Sequence, residues 1–223
     1  MINWFNKSIK KDYPDFYNSY LEKFEADNPK TYQEAVFIIL DTETTGFDYK
    51  KDRILSIGAV VLENMQIVIS KSLEVYVTQN RFNPDTVEIH GLLRNEKLNR
   101  LSELEAIKIF LEYIGNSIIV AHHAKFDITM INNALKRQGL PKLKNRILDT
   151  VDLHRRTLIK SNLIDTQKNF TLDELAYFYD IDLSDRHTAA GDAYITALIF
   201  LRTISKLKSG KNLQLDNLFK KSR

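Results

Sequence analysis

Two carboxylates separated by one residue, Asp41 and Glu43, follow the apolar stretch FIIL at 37–40 of this 223-residue chain. Side chains two residues apart in a strand point to the same face, so these two can converge. Converging carboxylates repel each other unless a cation lies between them, and no Lys or Arg stands within 37–46. Mg²⁺ and Mn²⁺ prefer oxygen ligands and could supply that charge. The alternative is that the strand ends here and both residues cap a turn in water.

Two further acids lie near the starts of predicted helices. Asp127, in VAHHAKFD, follows a short buried strand and opens a helix, where its alternative role is that of an N-cap. Asp192, in HTAAGDA, follows His187 by five positions, which is about 140° around an ideal helix. The two converge only if His187 lies on the loop before the helix. The alternative for Asp192 is a contact with the helix dipole.

The elements that would position these residues follow from apolar patterning. Continuous or alternating apolar stretches predict strands at 35–40, 54–62, 67–77, 117–121 and 147–148. Helical periodicity predicts helices at 101–114, 128–138, 172–179 and 189–207. Three strands in succession, followed by helices that alternate with short strands, predict an α/β fold with a mixed sheet flanked by helices.

Composition restricts the class of protein. Hydrophobic residues make up 43% of the chain and charged residues 27%, as in ordinary globular domains. The absence of cysteine excludes disulfides, a thiol nucleophile and a thiolate metal site. No apolar run approaches the roughly 18 residues of a membrane span, and the N-terminal residues lack the apolar core of a signal peptide. We therefore expect a cytoplasmic protein without a membrane span.

We predict one α/β domain, residues 35–207, between two appendages. The N-terminal extension, 1–34, contains aromatic residues at i, i+4 spacing and is expected to form a short amphipathic helix that packs on the domain: Phe16, Tyr20 and Phe24. The tail, 208–223, belongs to a basic segment that accounts for the net charge of +3, since residues 206–223 contain six Lys or Arg and one Asp. Such a tail either contacts a polyanion or stays solvated.

Taken together and in this order, the three acidic motifs resemble the DEDDh superfamily of 3′-5′ exonucleases. The resemblance extends over about residues 35–207 and implies a ribonuclease H-like fold. DTETTG at 41–46 matches the first motif of the superfamily closely. His-x4-Asp, rather than Tyr-x3-Asp, places the sequence in the histidine branch.

The resemblance implies a role for each matching residue. The implied ligands of two Mg²⁺ ions, which Mn²⁺ can replace, are Asp41, Glu43, Asp127 and Asp192. With His187 as the general base, they form the implied catalytic set. The implied substrate contacts are Thr42, Thr44, His90 and Asp85. Asp85 stands where relatives tend to have Glu, and His123 stands where many have Asn.

The implied activity is metal-dependent hydrolysis of 3′-terminal phosphodiesters of single-stranded or frayed DNA, which releases nucleoside 5′-monophosphates in proofreading or repair. We favour DNA over RNA because DTETTG and IHG at 89–91 look more like the proofreading epsilon subunit of bacterial DNA polymerase III than like oligoribonuclease. An exoribonuclease is one alternative, and a catalytically silent nucleic-acid-binding module is another.

A polymerase or sliding-clamp partner is a further expectation. Residues 214–219, QLDNLF, resemble the short peptides with which bacterial replication proteins bind the sliding clamp. The same residues are also explained by a plain amphipathic tail.

Overall fold

One mixed sheet forms the centre of the protein. The computed structural model describes residues 12–27, 29–79, 99–158, 168–208 and 213–220. In these ranges the strands are β1 (Phe37–Thr44), β2 (Ile54–Glu63), β3 (Gln66–Val77), β4 (Arg100–Leu101), β5 (Ile118–Ala121) and β6 (Ile147–Asp149). Their order is β4-β3-β2-β1-β5-β6, with β2 antiparallel to β1 and β3, while β4, β5 and β6 each pair in parallel. The predicted α/β fold with a mixed sheet is confirmed.

The α-helices of the described residues are α1 (Asp15–Glu22), α2 (Glu103–Ile114), α3 (Lys125–Arg137), α4 (Thr150–Arg155), α5 (Leu172–Phe178) and α6 (Ala189–Lys208). Ser102 is the N-cap of α2 and Thr171 is the N-cap of α5, and each forms a capping box with the Glu three positions later. Within the described residues, no helix combines the length and apolarity needed to cross a membrane. The predicted cytoplasmic location stays a prediction.

Alternate side chains of β1 face two separate cores. Ile38 and Leu40 pack in a core that also contains residues of α1, α2 and α3. Phe37 and Ile39 pack in a second core with Phe200 of α6, whose ring centroid lies 5.0 Å from that of Phe37. Because side chains alternate along a strand, the odd-numbered residues of β1 face α6 and the even-numbered ones face α3. This division determines where the acidic residues of β1 point.

The N-terminal helix α1 is anchored to the sheet domain by buried tyrosines. Tyr17 and Tyr20 belong to the core that contains α2. The Tyr20 hydroxyl donates to Oδ1 of Asn145 at 2.6 Å and accepts from the backbone N of Lys144 at 2.8 Å. The aromatic spacing therefore located this helix, and Tyr17 is a buried residue that the i, i+4 pattern left out. The domain boundaries stay a prediction.

The C-terminal segment packs on the α6 side of the sheet. Residues Leu215–Phe219 form a 3-10 helix in which Leu215 and Leu218 are buried. The guanidinium of Arg156 donates to the carbonyl oxygens of Leu218 and Asn217, both at 2.8 Å. The apolar residues of QLDNLF thus contribute to the protein's own core. Clamp binding stays a prediction.

Candidate active site

The first acidic motif lies within β1 and not beyond its end. β1 continues through Thr44, with Asp41 paired to Gly58 and Glu43 paired to Ser56 on β2. The prediction that the strand ends at residue 40 is wrong, and so is the turn-cap alternative. The apolar pattern stops there, but the backbone ladder with β2 continues. Asp41 and Glu43 therefore share the face of β1 that packs on α6.

Helix α6 brings a third acid to this face. Asp41, Glu43 and Asp192 each offer one carboxylate oxygen, and these oxygens all lie within 4.8 Å of one another. Asp192 lies in the first turn of α6, and its side chain is largely buried. We call these three residues the acid cluster.

Asp127 approaches the cluster from the other side of β1. Its Oδ1 accepts hydrogen bonds from the backbone N of Thr42 at 3.0 Å and from the Thr42 hydroxyl at 2.7 Å. The N-cap of α3 is Ala124, so the capping alternative for Asp127 is wrong. Asp127 is not one of the three acids of the cluster, but its charge raises the pKa of Asp41. The four acids predicted from the sequence are thus neighbours.

The pKa values of these acids reflect their crowding. Burial, followed by the charges of Asp127, Asp192 and Glu43, raises the pKa of Asp41 well above its usual range. Burial and Asp192 raise the pKa of Glu43 to about 7, although the residue keeps partial exposure. Burial also raises the pKa of Asp127 to about 7, although the hydrogen bonds from Thr42 act to lower it. A hard divalent cation would displace the protons that such a set retains, so the donor set fits one.

Arg186 supplies a cation that the sequence interpretation missed. It lies on the loop before α6, and its Nη1 donates to Oδ2 of Asp192 at 2.5 Å. Its positive charge opposes the rise in the pKa of both Asp41 and Glu43. Residues 37–46 contain no Lys or Arg, but the structure brings Arg186 to the third acid of the cluster, Asp192. The cation comes from a distant segment of the chain, which an inspection of residues 37–46 could not reveal.

His187 lies on the loop before α6, as its convergence with Asp192 requires. Its φ of 69° is in the left-handed region, and the residue is exposed. Its backbone N donates to Oδ1 of Asp192 at 3.4 Å. The structure thus joins His187 to the acid cluster through the backbone. Its role as general base stays a prediction.

The predicted substrate-binding residues have different outcomes. Thr42 and Thr44 are buried, and their hydroxyls bind within the protein: Thr42 donates to Asp127, and Thr44 donates to the carbonyl oxygen of Gly46 at 2.8 Å. Both hydroxyls therefore support the strand and its loop, and substrate contact through these two residues stays a prediction. His90 and Asp85 lie outside the described residues.

Asp149 is a positioning residue that the sequence interpretation missed. It ends β6, and its Oδ2 accepts from the backbone N of Ala124 at the start of α3, at 2.9 Å. Its Oδ1 accepts from the backbone N of Val151 in α4, also at 2.9 Å. One carboxylate therefore fixes the starts of two helices, one of which carries Asp127. The available signal was an Asp immediately after a short strand, which is typical of an N-cap.

The two adjacent histidines have structural explanations. The ring nitrogens of His122 lie 2.9 Å from the Thr150 hydroxyl oxygen and 3.0 Å from the carbonyl oxygen of Phe170. Burial, followed by the charge of His123, lowers the pKa of His122 to about 3. His123 has a φ of 53°, a left-handed conformation in which Asn and His are both enriched. A histidine can therefore replace the Asn of the superfamily at this position.

Three aromatic rings cluster around the start of α3. Phe126 precedes Asp127, and its ring centroid is 5.8 Å from that of Phe47 and 5.7 Å from that of Tyr49. The side chain of Asn133 anchors this loop by donating to the carbonyl oxygen of Tyr49 at 2.7 Å. Phe47 is 75% exposed, so much of this residue is accessible from solvent.

Comparison with known proteins agrees with this geometry. The model of the exonuclease family matches residues 38–200, so the chain belongs to this family. Its fold is that of the DnaQ-like 3′-5′ exonucleases, and the assignment made from the acidic motifs is confirmed at the level of family and fold.

The similar curated proteins are much longer than this chain. The sequence is 34% identical over 178 residues to the PolC-type DNA polymerase III of Caldanaerobacter subterraneus subsp. tengcongensis, covering 78% of this chain and 12% of that protein. It is 35% identical over 172 residues to the PolC-type DNA polymerase III of Clostridium perfringens, covering 77% of this chain and 11% of that protein.

Solved structures support the same fold. E. coli exonuclease I in complex with a dA16 oligonucleotide superposes with a TM-score of 0.65 at 18% identity, covering 77% of this chain and 41% of that chain. Exonuclease X in complex with 5′ overhanging duplex DNA superposes with a TM-score of 0.57 at 22% identity, covering 82% of this chain and 99% of that chain.

Proposed function

We propose that this chain is a divalent-metal-dependent 3′-5′ exonuclease that shortens single-stranded or frayed DNA and releases nucleoside 5′-monophosphates. The observation that carries the proposal is the acid cluster, with carboxylate oxygens within 4.8 Å of one another and Asp127 beside it. Membership of the exonuclease family supports phosphodiester hydrolysis. The preference for DNA is supported by the similarity to DNA polymerase III proteins.

The acid cluster would hold the divalent cations, with Asp127 completing the set of ligands. Carboxylate oxygens suit Mg²⁺, and Mn²⁺ would substitute because it accepts the same ligands. Bound there, the cations would lower the pKa of a water molecule and neutralise negative charge on the phosphate. Without that charge, an anionic phosphodiester would be repelled by the carboxylates.

Protein groups would orient the site and transfer the proton. His187, tied to Asp192 through its backbone N, would accept a proton from the attacking water at a ring nitrogen. Thr42 fixes the Asp127 carboxylate with two hydrogen bonds, and Asp149 fixes the start of the helix that carries it. The acids are therefore held by contacts formed before substrate arrives, which favours catalysis by positioning.

The three aromatic rings at the start of α3 would hold the end of the nucleic acid. Unpaired bases stack on exposed aromatic rings, and Phe47, Tyr49 and Phe126 offer such rings beside Asp127. A duplex end would first have to fray, because paired bases keep their faces stacked. Stacking does not read the 2′-hydroxyl, so these rings by themselves do not distinguish DNA from RNA.

An exonuclease assay tests the proposal. Single-stranded DNA and RNA of one sequence, labelled at the 5′ end, are incubated with Mg²⁺, with Mn²⁺ or with EDTA, beside an Asp41→Asn control. The expected result is a ladder that shortens from the 3′ end only with metal, faster for DNA, and absent in the variant. Faster shortening of RNA would favour an exoribonuclease. No shortening by folded protein with metal would favour a silent binding module.

A polymerase partner would place this activity in proofreading. The similar proteins are PolC-type DNA polymerases, and the chain spans only 11–12% of their length, so the polymerase would be supplied by another segment or chain. Clamp binding through residues 214–219 is tested with Gln214→Ala and Phe219→Ala, which leave the buried leucines intact. Unchanged affinity for the clamp in both variants would contradict that contact.

A further inference from the structure

Arg186 joins a buried acid of the cluster to an exposed acid outside it. Its Nη1 lies 2.5 Å from Oδ2 of Asp192, and its Nε lies 2.5 Å from Oδ1 of Asp173 on α5. The Asp192 side chain is 8% exposed, whereas that of Asp173 is 55% exposed. The guanidinium fork therefore has one partner inside the site and one partner at its rim.

The loop that carries Arg186 is packed closely on the first turn of α6. A Cβ at Gly191 would lie 1.9 Å from the carbonyl oxygen of Asp185, so only glycine allows this approach. The Thr188 hydroxyl donates to that carbonyl oxygen at 3.2 Å and accepts from the backbone N of Gly191 at 3.0 Å. These contacts fix the backbone on either side of Arg186 and direct its side chain towards Asp192.

We propose that Arg186 is the internal counter-ion of the acid cluster and a positioning residue for Asp192. In the metal-free protein the guanidinium neutralises Asp192, and on metal binding it releases that carboxylate while Asp173 retains it. A guanidinium keeps its charge and repels a divalent cation bound to the same carboxylate, which favours its withdrawal to Asp173, a partner it already contacts. The inference rests on the proposed metal-binding function.

Removing Arg186 and removing its outer partner Asp173 are expected to have opposite effects on metal affinity. Arg186→Gln removes the competing cation, so Mn²⁺ binds more tightly, by roughly three- to tenfold for a partly buried ion pair. Asp173→Asn removes the outer anchor and leaves the guanidinium to Asp192, so Mn²⁺ binds more weakly. In the double variant Asp173→Asn has no further effect. A purely structural loop contact would instead weaken Mn²⁺ binding in both single variants.

Calorimetric titration of the full chain with Mn²⁺ provides the measurement. The wild type, both single variants and the double variant are compared with Arg137→Gln. This control loses another 2.5 Å ion pair, to Glu103 in α2, outside the site. Thermal unfolding provides a second readout. In EDTA, Arg186→Gln lowers the Tm because the acids lose their counter-ion. At saturating Mn²⁺, the difference in Tm between wild type and variant becomes smaller.

The outcomes separate this inference from the proposed function. If the wild type binds Mn²⁺ and Arg186→Gln binds it equally or less tightly, Arg186 is not a competing counter-ion. If Arg186→Gln does not fold, the Mn²⁺ affinity of Asp173→Asn provides the test. Unchanged or tighter Mn²⁺ binding in that variant overturns the inference. A folded wild type that binds no Mn²⁺ at all would overturn the proposed function and this inference with it.

Discussion

Gly58 on β2 lies directly across the antiparallel ladder from Asp41 on β1. A Cβ at Gly58 would lie 2.1 Å from the carbonyl carbon of Ala189 and 2.2 Å from the backbone N of Ala190. The first turn of α6 therefore rests on the one β2 residue without a side chain, and Asp192 follows within that turn. The distance between Asp41 and Asp192 depends on this contact.

Gly58→Ala is expected to separate the acids of the cluster. The added methyl group would displace the start of α6, with a loss of about 1–3 kcal/mol in the free energy of unfolding and a fall of tenfold or more in kcat. Steady-state kinetics and urea unfolding measure both. The control is Gly139→Ala, where φ is 73° and nothing lies within 4 Å of the new Cβ. It should lose stability and keep kcat, and a similar loss of kcat in both variants would contradict the role of Gly58.

Thr42→Val is expected to impair catalysis through Asp127. The variant loses the 2.7 Å hydrogen bond to the Asp127 carboxylate and keeps the shape of the side chain. A hydrogen bond to a charged group contributes about 1.5–3 kcal/mol, so kcat should fall about tenfold or more. Thr44→Val is the matched control, since it loses a hydrogen bond to the backbone of Gly46. If Thr42→Val instead raises KM and leaves kcat unchanged, the predicted substrate contact is the better account.

His187→Ala is expected to reduce kcat by about 10²–10⁴-fold, the usual contribution of a general base. Mn²⁺ affinity should stay unchanged, because the contact with Asp192 is made by the backbone N and not by the ring. Kinetics and calorimetry on the same preparation separate the two effects. A variant that keeps its kcat, or one that loses Mn²⁺ affinity, would show that the ring has another role.

The pH dependence of stability reports on Glu43 in the metal-free protein. Burial raises its pKa from 4.5 to about 7, so between these values the folded state keeps a proton that the unfolded state releases. The contribution of Glu43 to stability therefore falls as pH rises from about 4.5 to 7 and is constant above, with a total loss on the order of 1–3 kcal/mol. Glu43→Gln removes this contribution, while Asp41, Asp127 and Asp192, whose pKa values are also raised, keep theirs. Urea unfolding in EDTA measures the free energy of unfolding of both proteins at pH 4 and pH 8. The variant should be more stable relative to the wild type at pH 8 than at pH 4. Equal differences at both pH values would refute this.

Much of the fold was predictable because its signals are local. The apolar patterning located each of the predicted strands and helices, and the aromatic spacing located α1. Residues 41–44 were missed as part of β1 because a polar stretch carries no apolar signal, while the ladder with β2 that extends the strand is a long-range contact.

The site was predictable where its residues belong to short motifs. Asp41, Glu43, Asp127 and Asp192 were recognised in this way, and the structure makes them neighbours. Arg186 was not recognised, because its ion pairs with Asp192 and Asp173 depend on how the loop before α6 folds onto its first turn.

The central claim is that the acid cluster binds divalent metal, and anomalous diffraction from crystals soaked in Mn²⁺ tests it most directly. We predict anomalous density bounded by the carboxylates of Asp41, Glu43 and Asp192, with Arg186 withdrawn to Asp173. Absence of density at saturating Mn²⁺, with Arg186 still paired to Asp192, would contradict the account.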